Sequence, residues 1–248
     1  MSTPVIDVLI PARGGSVGLP GKNGRILVDR PLLSHSVACA QLIEGVRTIL
    51  LSTDDETLAA LGRSAGATVP ELRPSFLAEH ETPMADVIRY AVALLDRQGL
   101  PRADVLCLLD PTSPLRQPEQ IARAGHVVHS RPDIDGAISI SMPAFNPLWV
   151  GVQVDASGQI HRHPLIASAF TRRQEVPDYW RINGSFYLWK PDFAERITPD
   201  WLDQGRFIGI EMPELLSHSI DTLDGFRLVE ALLTARAVQP PWLSAETV

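Results

Sequence analysis

Short apolar runs and amphipathic segments alternate along the chain from residue 5 to residue 141. The apolar runs have the length of buried strands, and the segments between them place apolar residues at helical spacing. Strands are predicted at 5–10, 48–52, 67–70, 104–109 and 135–141, and helices at 31–44, from the acidic segment 53–56 to 65, at 83–98 and at 118–130. Strands that alternate with helices of this length are typical of βαβ units. The chain is therefore predicted to be an α/β protein with a doubly wound, mostly parallel sheet.

Three loops are predicted to lie at one edge of this sheet. The carboxyl ends of parallel strands share an edge, and open α/β sheets bind their ligands in the crevice outside it. The loops that begin at Arg13, Thr53 and Asp110 each follow a predicted strand. We therefore expect all three to open at the carboxyl edge.

The pattern changes at about residue 143, where prolines recur and short antiparallel strands are predicted. We interpret residues 143–182 as a flap inserted into a single domain that spans residues 1–248. Its aromatic residues either form a surface for a partner, such as a second copy of the chain, or pack the flap onto the core. They are Phe145, Trp149, Tyr179 and Trp180. The chain is then predicted to return to the core with strands at 185–189 and near 207–211 and a last helix at 222–237.

The composition, with 45% hydrophobic and 21% charged residues, is that of a soluble globular protein. The formal net charge of −7 provides no overall attraction for nucleic acid or an anionic membrane, so a polyanionic ligand requires a local basic cluster. The N-terminus shows no leader pattern and no apolar run has the length of a membrane span, so we expect a cytoplasmic protein.

The cysteines and histidines do not indicate a metal site. Cys39 and Cys107 lie among apolar residues without CxxC spacing, which predicts two separate buried thiols rather than a disulfide or a zinc site. His161 and His163 would share one face of a strand, but no third ligand lies nearby in the sequence. We therefore predict a solvated flap at that position.

The segment 10–23, which we call the glycine-rich loop, carries the clearest chemical signal. It contains four glycines, the cations Arg13 and Lys22, and no acid. Glycines let successive backbone N–H groups approach an anion, and the two cations can neutralise a triphosphate. The loop matches neither the Walker A pattern nor GxGxxG. The alternative is a surface loop whose glycines and prolines only form turns.

Motifs along nearly the whole chain extend this interpretation. The glycine-rich loop matches ARxxSKGxPxKN at Arg13, Ser16, Gly18, Pro20, Lys22 and Asn23. Further matches follow in order: STDD at 52–55, RPxxLA at 73–78, DPTSPLR at 110–116, RRQ at 172–174, NGSFY at 183–187 and SID at 219–221. In these motifs the chain resembles the acylneuraminate (CMP-sialic acid) cytidylyltransferase family.

This resemblance implies a Rossmann-like nucleotidyltransferase that acts as a homodimer with Mg²⁺ as its cofactor. The C2 hydroxyl of a sialic-acid-like 2-keto sugar acid would attack the α-phosphate of CTP and release pyrophosphate. Lys22 and Asp221 are the expected catalytic residues, and Asp221 would also hold the metal. The expected nucleotide-binding residues are Arg13, Gly15, Ser16, Asn23, Arg73 and Asp110, and the expected sugar-acid residues are Arg173 and Asn183.

Several of these residues also have purely structural interpretations. Arg73 could be a solvated loop charge, and Asp110 and Asp221 could each cap the helix that follows. The Asn183–Gly184 pair is by itself a hairpin turn signal. The ordered set of motifs favours the functional interpretation for all of them together.

Three departures from the family pattern leave the acceptor and the activity open. Val17 replaces a lysine, His80 replaces an aspartate, and the segment around Asp221 has lost one aspartate of an IDID-like pair. A single aspartate is closer to the Kdo (3-deoxy-manno-octulosonate) cytidylyltransferases. The alternatives are therefore an enzyme for another acceptor, such as a Kdo-like sugar or a phosphonate, or an inactive nucleotide-binding homologue.

Overall fold

The computed structural model describes residues 2–16, 18–99, 101–162, 170 and 172–243. Val17, whose replacement of a lysine is noted above, and His163 lie outside the described residues. The strands are β1 Ile6–Pro11, β2 Ile26–Leu27, β3 Arg30–Pro31, β4 Val46–Ser52, β5 Val105–Leu108, β6 Gly136–Ser141, β7 Val152–Val154, β8 Ile160–Arg162, β9 Arg181–Trp189 and β10 Phe207–Glu211. The α-helices are α1 Leu32–Gln41, α2 Glu56–Ala65, α3 Met84–Asp96, α4 Pro118–Ser130, α5 Pro147–Val150, α6 Pro191–Ala194, α7 Trp201–Gln204 and α8 Leu223–Thr234.

Six strands form the central sheet in the order β10-β6-β9-β5-β1-β4. The pairs β1–β4, β1–β5 and β10–β6 are parallel, whereas β9 runs antiparallel between β5 and β6. The amino end of β9 therefore lies at the same edge as the carboxyl ends of β1, β5 and β6. The predicted α/β fold with a mostly parallel sheet is confirmed.

Alternating residues of β1 face two separate cores. Val8 and Ile10 pack in one cluster with residues of α1, α2 and α4, whereas Leu9 packs on the opposite face with residues of α3 and α6. A strand that is apolar on both faces needs cover on both sides, and the helices on either side of the sheet provide it. A third cluster joins α8 to Leu19 and Leu27 beside the glycine-rich loop.

Local signals fix the starts of α2 and α4. Asp55 caps α2, because its carboxylate accepts hydrogen bonds from the Thr57 and Leu58 N–H groups. Pro118 begins α4, as a proline in the first turn should. The predicted strand at 67–70 is reduced to one bridge between Leu50 and Thr68.

The short antiparallel strands predicted in and next to the flap are present among its described residues. Among the described residues of the flap, β7 and β8 form an exposed antiparallel hairpin. The last two residues of the flap, 181 and 182, belong to the amino end of β9 in the central sheet. The Asn183–Gly184 pair lies inside β9 rather than in a hairpin turn, because a register shift between β6 and β9 accommodates Gly184 at φ 75. The hairpin interpretation of this pair is wrong.

Cys39 and Cys107 are free, buried thiols, as predicted. Burial raises the pKa of Cys39 to about 12 and raises that of Cys107 as well, so both remain protonated. Across the described ranges, none of the helices combines the length and the apolar character required to cross a bilayer.

Acid is expected to weaken the fold through His35, which is fully buried in α1. Its Nε2–H donates to the Leu27 carbonyl at 3.0 Å and its Nδ1 accepts from Trp242 Nε1 at 3.1 Å, so the ring is neutral. Burial lowers the pKa of His35 from 6.5 to about 4. The unfolded chain therefore binds a proton that the folded chain excludes, and stability should fall by about 3 kcal/mol as the pH drops from 6.5 to 4.

Urea unfolding at pH 7.5 and at pH 4.5 measures this loss. Other groups also titrate in this range, so His35→Gln, which has a donor and an acceptor but no proton to gain, is the matched control. We expect a smaller pH dependence in His35→Gln than in the wild type. Equal dependence in the two proteins would contradict the prediction.

Candidate active site

A cleft of about 600 Å³ opens at the carboxyl edge of the sheet, where β1 and β5 end and β9 begins. The glycine-rich loop, the segment from Arg73 to Val87, the loop after β5 and the segment before α8 provide its walls. Seven of the residues predicted from sequence line it: Arg13, Ser16, Lys22, Asn23, Arg73, Asp110 and Asp221. The expected meeting of the Arg13 and Asp110 loops at this edge is confirmed.

The glycine-rich loop is held in place by its own polar groups. Asn23 is buried, and its Nδ2 donates to the Arg13 carbonyl at 3.1 Å, which closes the loop on itself. Gly21 has φ 65 and begins the short 3₁₀ turn that contains Lys22. A glycine is favoured there because side chains rarely adopt this backbone conformation. Local geometry therefore directs Lys22 toward the cleft.

Lys22 and Asp221 form an ion pair within the cleft. Lys22 Nζ lies 2.9 Å from Asp221 Oδ1 and also donates to the Ile220 carbonyl at 3.1 Å. Asp221 Oδ2 accepts a hydrogen bond from Ser219. Partial burial by itself raises the pKa of Asp221, but the hydrogen bond and charge of Lys22 bring it below the usual value. Asp221 is therefore an ionised carboxylate at neutral pH.

The alternative role of Asp221 as a helix cap is wrong. Thr222 is the N-cap of α8, and its side chain accepts a hydrogen bond from the Gly225 N–H. The Ile220 N–H donates to the Thr112 carbonyl at 2.7 Å, which fixes this segment against the loop after β5. The carboxylate of Asp221 is left to face Lys22.

Arg73 is a buried cation rather than a solvated loop charge, so that alternative is also wrong. Only 5% of the residue is exposed, and its backbone N–H donates to the Thr53 carbonyl at 2.7 Å. Its Nη2 lies 3.8 Å from Asp54 Oδ1. Burial lowers the pKa of Arg73 and the nearby Asp54 opposes that shift, yet an arginine remains charged at any physiological pH. The cleft therefore contains a desolvated guanidinium.

Asp110 shapes the loop after β5 and does not cap α4, which begins at Pro118. Its Oδ1 accepts hydrogen bonds from the Thr112 N–H at 3.0 Å and from the Thr112 hydroxyl at 2.9 Å. The fully buried Arg116 donates to the Asp110 carbonyl. The carboxylate is thereby fixed at the wall of the cleft.

Three predicted site residues lie outside the lining of the cleft. Gly15 is exposed, with nothing within 4 Å of the position a Cβ would take. Asn183 is buried beneath the cleft, where its Oδ1 accepts hydrogen bonds from Ser139 at 2.6 Å and from the Ser185 N–H at 3.0 Å. Arg173 is exposed and lines a separate cavity of the flap together with Phe145 and Trp149. Their assigned roles stay predictions.

Several residues that line the cleft were not predicted from the sequence, among them Glu79, Ser113 and Tyr187. Two of them, Ser113 and Tyr187, carry polar groups in recognised motifs. Tyr187 stacks on Trp189, with ring centroids 5.5 Å apart. Ser113 Oγ is buried and has no hydrogen-bond partner among the described residues. Both lie within motifs that were recognised, NGSFY and DPTSPLR, so the motifs could have indicated them. Their orientation toward the cleft depends on the sheet.

The cleft contains cations that a bound anion would need. The glycine-rich loop contributes Arg13 and Lys22 and the facing segment contributes Arg73, in a protein whose net charge is −7. The carboxylates of Glu79, Asp110 and Asp221 line the same cleft. Among the described residues, no group of three or more His, Cys, Asp or Glu side chains is placed to hold a metal ion. A cation at Asp221 would therefore need further ligands from the bound molecule. Fold and cleft together define an α/β protein with a highly charged cleft at the carboxyl edge of its sheet.

Comparison with known proteins identifies the family. The cytidylyltransferase family model matches residues 8–133. The CMP-N,N'-diacetyllegionaminic acid synthase of Legionella pneumophila is 35% identical over 187 residues, which are 74% of this chain and 77% of that protein. The N-acylneuraminate cytidylyltransferase A of Danio rerio is 29% identical over 87% of this chain, which spans 48% of that protein. The chain belongs to the cytidylyltransferase family, and the resemblance seen in its motifs is confirmed.

Solved structures support the fold. A CMP:2-keto-3-deoxy-manno-octonic acid synthetase complexed with CTP matches with a TM-score of 0.67 at 20% identity, over 94% of this chain and 99% of that one. A 4-diphosphocytidyl-2C-methyl-D-erythritol synthase matches with a TM-score of 0.66 at 17% identity, over 94% of this chain and 100% of that one. These two structures support the fold alone, whereas the family model and the Legionella relative show that the protein is a CTP-dependent nucleotidyltransferase.

Replacing Gly18 with alanine is expected to reduce kcat/KM roughly 10- to 100-fold, since a shift of about 1 Å in a catalytic group has effects of this size. A Cβ at position 18 would lie 2.4 Å from the Asp221 carbonyl oxygen, so the glycine-rich loop and the segment before α8 would have to separate. Gly24→Ala is the matched control, because its Cβ would meet only Leu58 side-chain carbon, at 3.5 Å, and Leu61 beyond it. Steady-state pyrophosphate release measures both variants, and equal rates would contradict the prediction.

Proposed function

We propose that this protein transfers CMP from CTP to the C2 hydroxyl of a sialic-acid-like 2-keto sugar acid and releases pyrophosphate. The observation that carries the proposal is the cleft itself, where three cations and the carboxylate of Asp221 meet in a chain 35% identical to a legionaminic acid synthase. The hydroxyl oxygen would form the new bond to the α-phosphorus. The bond from that phosphorus to the bridging oxygen would break, pyrophosphate would leave with the electron pair, and the proton of the hydroxyl would be released to water.

In this proposal the residues of the chain bind charge and fix geometry. Lys22 would move from Asp221 to the phosphate oxygens, where negative charge increases in the transition state. Arg13 and Arg73 would neutralise the remaining charge, and Ser16 would donate a hydrogen bond to it. Asn23 would contribute by keeping the loop closed, since its amide already bonds to the Arg13 carbonyl. Asp110 would border both the nucleotide and the acceptor.

Mg²⁺ is the proposed cofactor. The residues present fit it, because magnesium is usually held by one or two carboxylates together with substrate phosphates, and Asp221 is an ionised carboxylate in the cleft. When bound, the metal would neutralise and orient phosphate oxygens. Asp221 would hold it, and Ser219 would keep that carboxylate oriented through its hydrogen bond at 3.0 Å.

A homodimer in the cytoplasm is the proposed working form. The flap exposes large apolar side chains, including 65% of Phe145, 64% of Val154 and 69% of Ile160, and surfaces of this kind mark sites of association. We expect Ile160→Asp to shift a dimer to a monomer in sedimentation velocity. Leu202→Asp, at an exposed apolar position on α7 outside the flap, is the control and should leave the dimer intact. A monomeric wild type would contradict this proposal.

The direct test is pyrophosphate release from CTP with Mg²⁺ and a panel of acceptors. The panel contains N-acetylneuraminate, N,N'-diacetyllegionaminic acid, Kdo and a phosphonate, with UTP, ATP and GTP as nucleotide controls. Release with CTP and a nine-carbon sugar acid supports the proposal. Release with Kdo alone would favour the second candidate function, a cytidylyltransferase for a Kdo-like sugar. The single aspartate of the SID segment is the observation that favours this candidate. CTP binding with no release from any acceptor would indicate an inactive homologue.

A further inference from the structure

Asp54 connects two parts of the cleft that are distant in sequence. Its Oδ1 accepts a hydrogen bond from the Gly14 N–H at 3.0 Å and lies 3.8 Å from Arg73 Nη2. Asp54 itself is not among the residues that line the cleft. Any effect of this carboxylate on a bound molecule must therefore pass through the groups that it holds or through its charge.

Arg73 depends on this carboxylate because its surroundings offer little else. Its side chain is 3% exposed, and its Nε is buried without a hydrogen-bond partner in the part of the chain that the structure describes. A buried charge requires a partner of opposite sign. At 3.8 Å the contact with Asp54 is an ion pair and not a close hydrogen bond, so the guanidinium can still donate to an anion in the cleft.

The glycine-rich loop has a comparable dependence on the segment after β4. The Gly14 N–H is fixed by Asp54, and a Cβ on Gly14 would lie 2.9 Å from Asp55 Oδ2, so the loop packs directly against this segment. Thr53 meanwhile accepts the backbone hydrogen bond of Arg73. Residues 53–55 thus form the support on which both walls of the cleft rest.

We propose that Asp54 is a positioning residue for CTP, which fixes the glycine-rich loop through Gly14 and orients the Arg73 guanidinium into the cleft. The proposal rests on the use of CTP, which the family establishes, and not on the identity of the acceptor. It is therefore tested with CTP alone, and failure of the sugar-acid proposal would leave the result unaffected.

The direction in which the Kd for CTP changes on removal of the Asp54 carboxylate distinguishes a positioning role from a purely electrostatic one. A carboxylate near a triphosphate repels it, so removal of a carboxylate that contributes only its charge should tighten CTP binding. A positioning carboxylate has the opposite effect, because Arg73 loses its orientation when its partner is removed. Asp54→Asn isolates this contribution, since the amide oxygen can still accept the Gly14 hydrogen bond but carries no charge.

Titration calorimetry measures the Kd for CTP with and without Asp54→Asn, both in the wild type and in the Arg73→Met background. We expect Asp54→Asn to raise the Kd for CTP about 10-fold in the wild type and less than about 2-fold in Arg73→Met, since residues that act through one another are not additive. Arg73→Lys provides a second background if Arg73→Met lowers the melting temperature strongly. Asp54→Ala, which also loses the Gly14 contact, should raise the Kd further than Asp54→Asn in both backgrounds.

Glu56→Gln is the matched control, because Glu56 is a nearby carboxylate outside residues 53–55 that is exposed and pairs with Arg63 rather than with Arg73. Its Kd for CTP should stay within about 2-fold of the wild type. Three results would overturn the proposal: an unchanged or tighter CTP complex in Asp54→Asn, an equal loss in the two backgrounds, or an unchanged Kd in Arg73→Met.

Discussion

Lys22→Ala is expected to lower kcat roughly 100- to 1,000-fold, the range found when one donor to the transition state is removed from a preorganised site. Lys22 Nζ already lies in the cleft, 2.9 Å from Asp221, and its side chain is 15% exposed. The ammonium group therefore has little water to lose when phosphates replace Asp221 as its partner. Because negative charge on the phosphates increases during transfer, removal of the Lys22 ammonium group should reduce kcat more than it raises the KM for CTP.

The chain provides a well-matched control, since its only other lysine is Lys190. Lys190 follows β9 at the opposite edge of the sheet from the cleft and donates to the Arg131 carbonyl. Lys190→Ala should leave kcat within about 2-fold of the wild type. Lys22→Arg should recover part of the lost rate, because the charge returns with a different shape. A Lys22→Ala enzyme with normal kcat would remove Lys22 from the mechanism.

Lys22→Ala should fold normally, so that its loss of activity cannot be attributed to unfolding. The side chain of Asp221 is 69% exposed, and an ion pair with one solvated partner contributes about 0–1 kcal/mol to stability. The melting temperature of Lys22→Ala should therefore stay within a few degrees of the wild-type value. Thermal unfolding of the purified variant is the check.

The core of the fold was predictable from sequence because its signals are local. The strand at 207–211 and the helix at 118–130 agree with β10 and α4 at both ends. In α4 the proline in the first turn marks the start without reference to the rest of the chain. The place of β9 in the sheet, between β5 and β6, had no such local signal. Its pairing with β5 and β6 joins residues far apart in sequence, and only the assembled sheet selects it.

Asn183 shows how tertiary contacts override a local preference. The Asn–Gly pair favours a turn, yet Ser139 on β6 donates to the Asn183 side chain and the pair lies inside β9. Gly184 then accommodates a positive φ within the strand and lines the cleft. A local rule predicted an unusual backbone conformation correctly and placed it in the wrong kind of element.

The candidate site was predictable to the extent that parallel strands bring their loops together. Arg13 and Asp110 meet at the carboxyl edge because β1 and β5 are parallel neighbours. The contribution of Asp54 could not be found in the same way. The STDD segment predicts a helix cap, and Asp55 provides it, so no local signal remained to indicate that Asp54 contacts the glycine-rich loop.

Asp221→Asn is expected to reduce kcat/KM at least as strongly as Lys22→Ala, by roughly 1,000-fold, because it removes the carboxylate proposed to hold Mg²⁺ and no other aspartate or glutamate adjoins it in the SID segment. The amide can still accept the Ser219 hydrogen bond, so the change is one of charge more than of shape. Higher Mg²⁺ concentrations should recover part of the rate if the variant binds the metal weakly.

Asp224→Asn, three residues further along, is the control for this substitution. That carboxylate is 93% exposed and lies 3.7 Å from Arg227 on α8, away from the residues of the cleft. We expect an unchanged rate and an unchanged Mg²⁺ dependence in Asp224→Asn. In the wild type, Lys22 holds the pKa of Asp221 below its usual value, so activity should not fall through this group until the pH is well into the acid range. An Asp221→Asn enzyme with a wild-type rate at limiting Mg²⁺ would show that one carboxylate in this segment is not needed for the chemistry, and the metal would then have to be held by the substrates and Asp110.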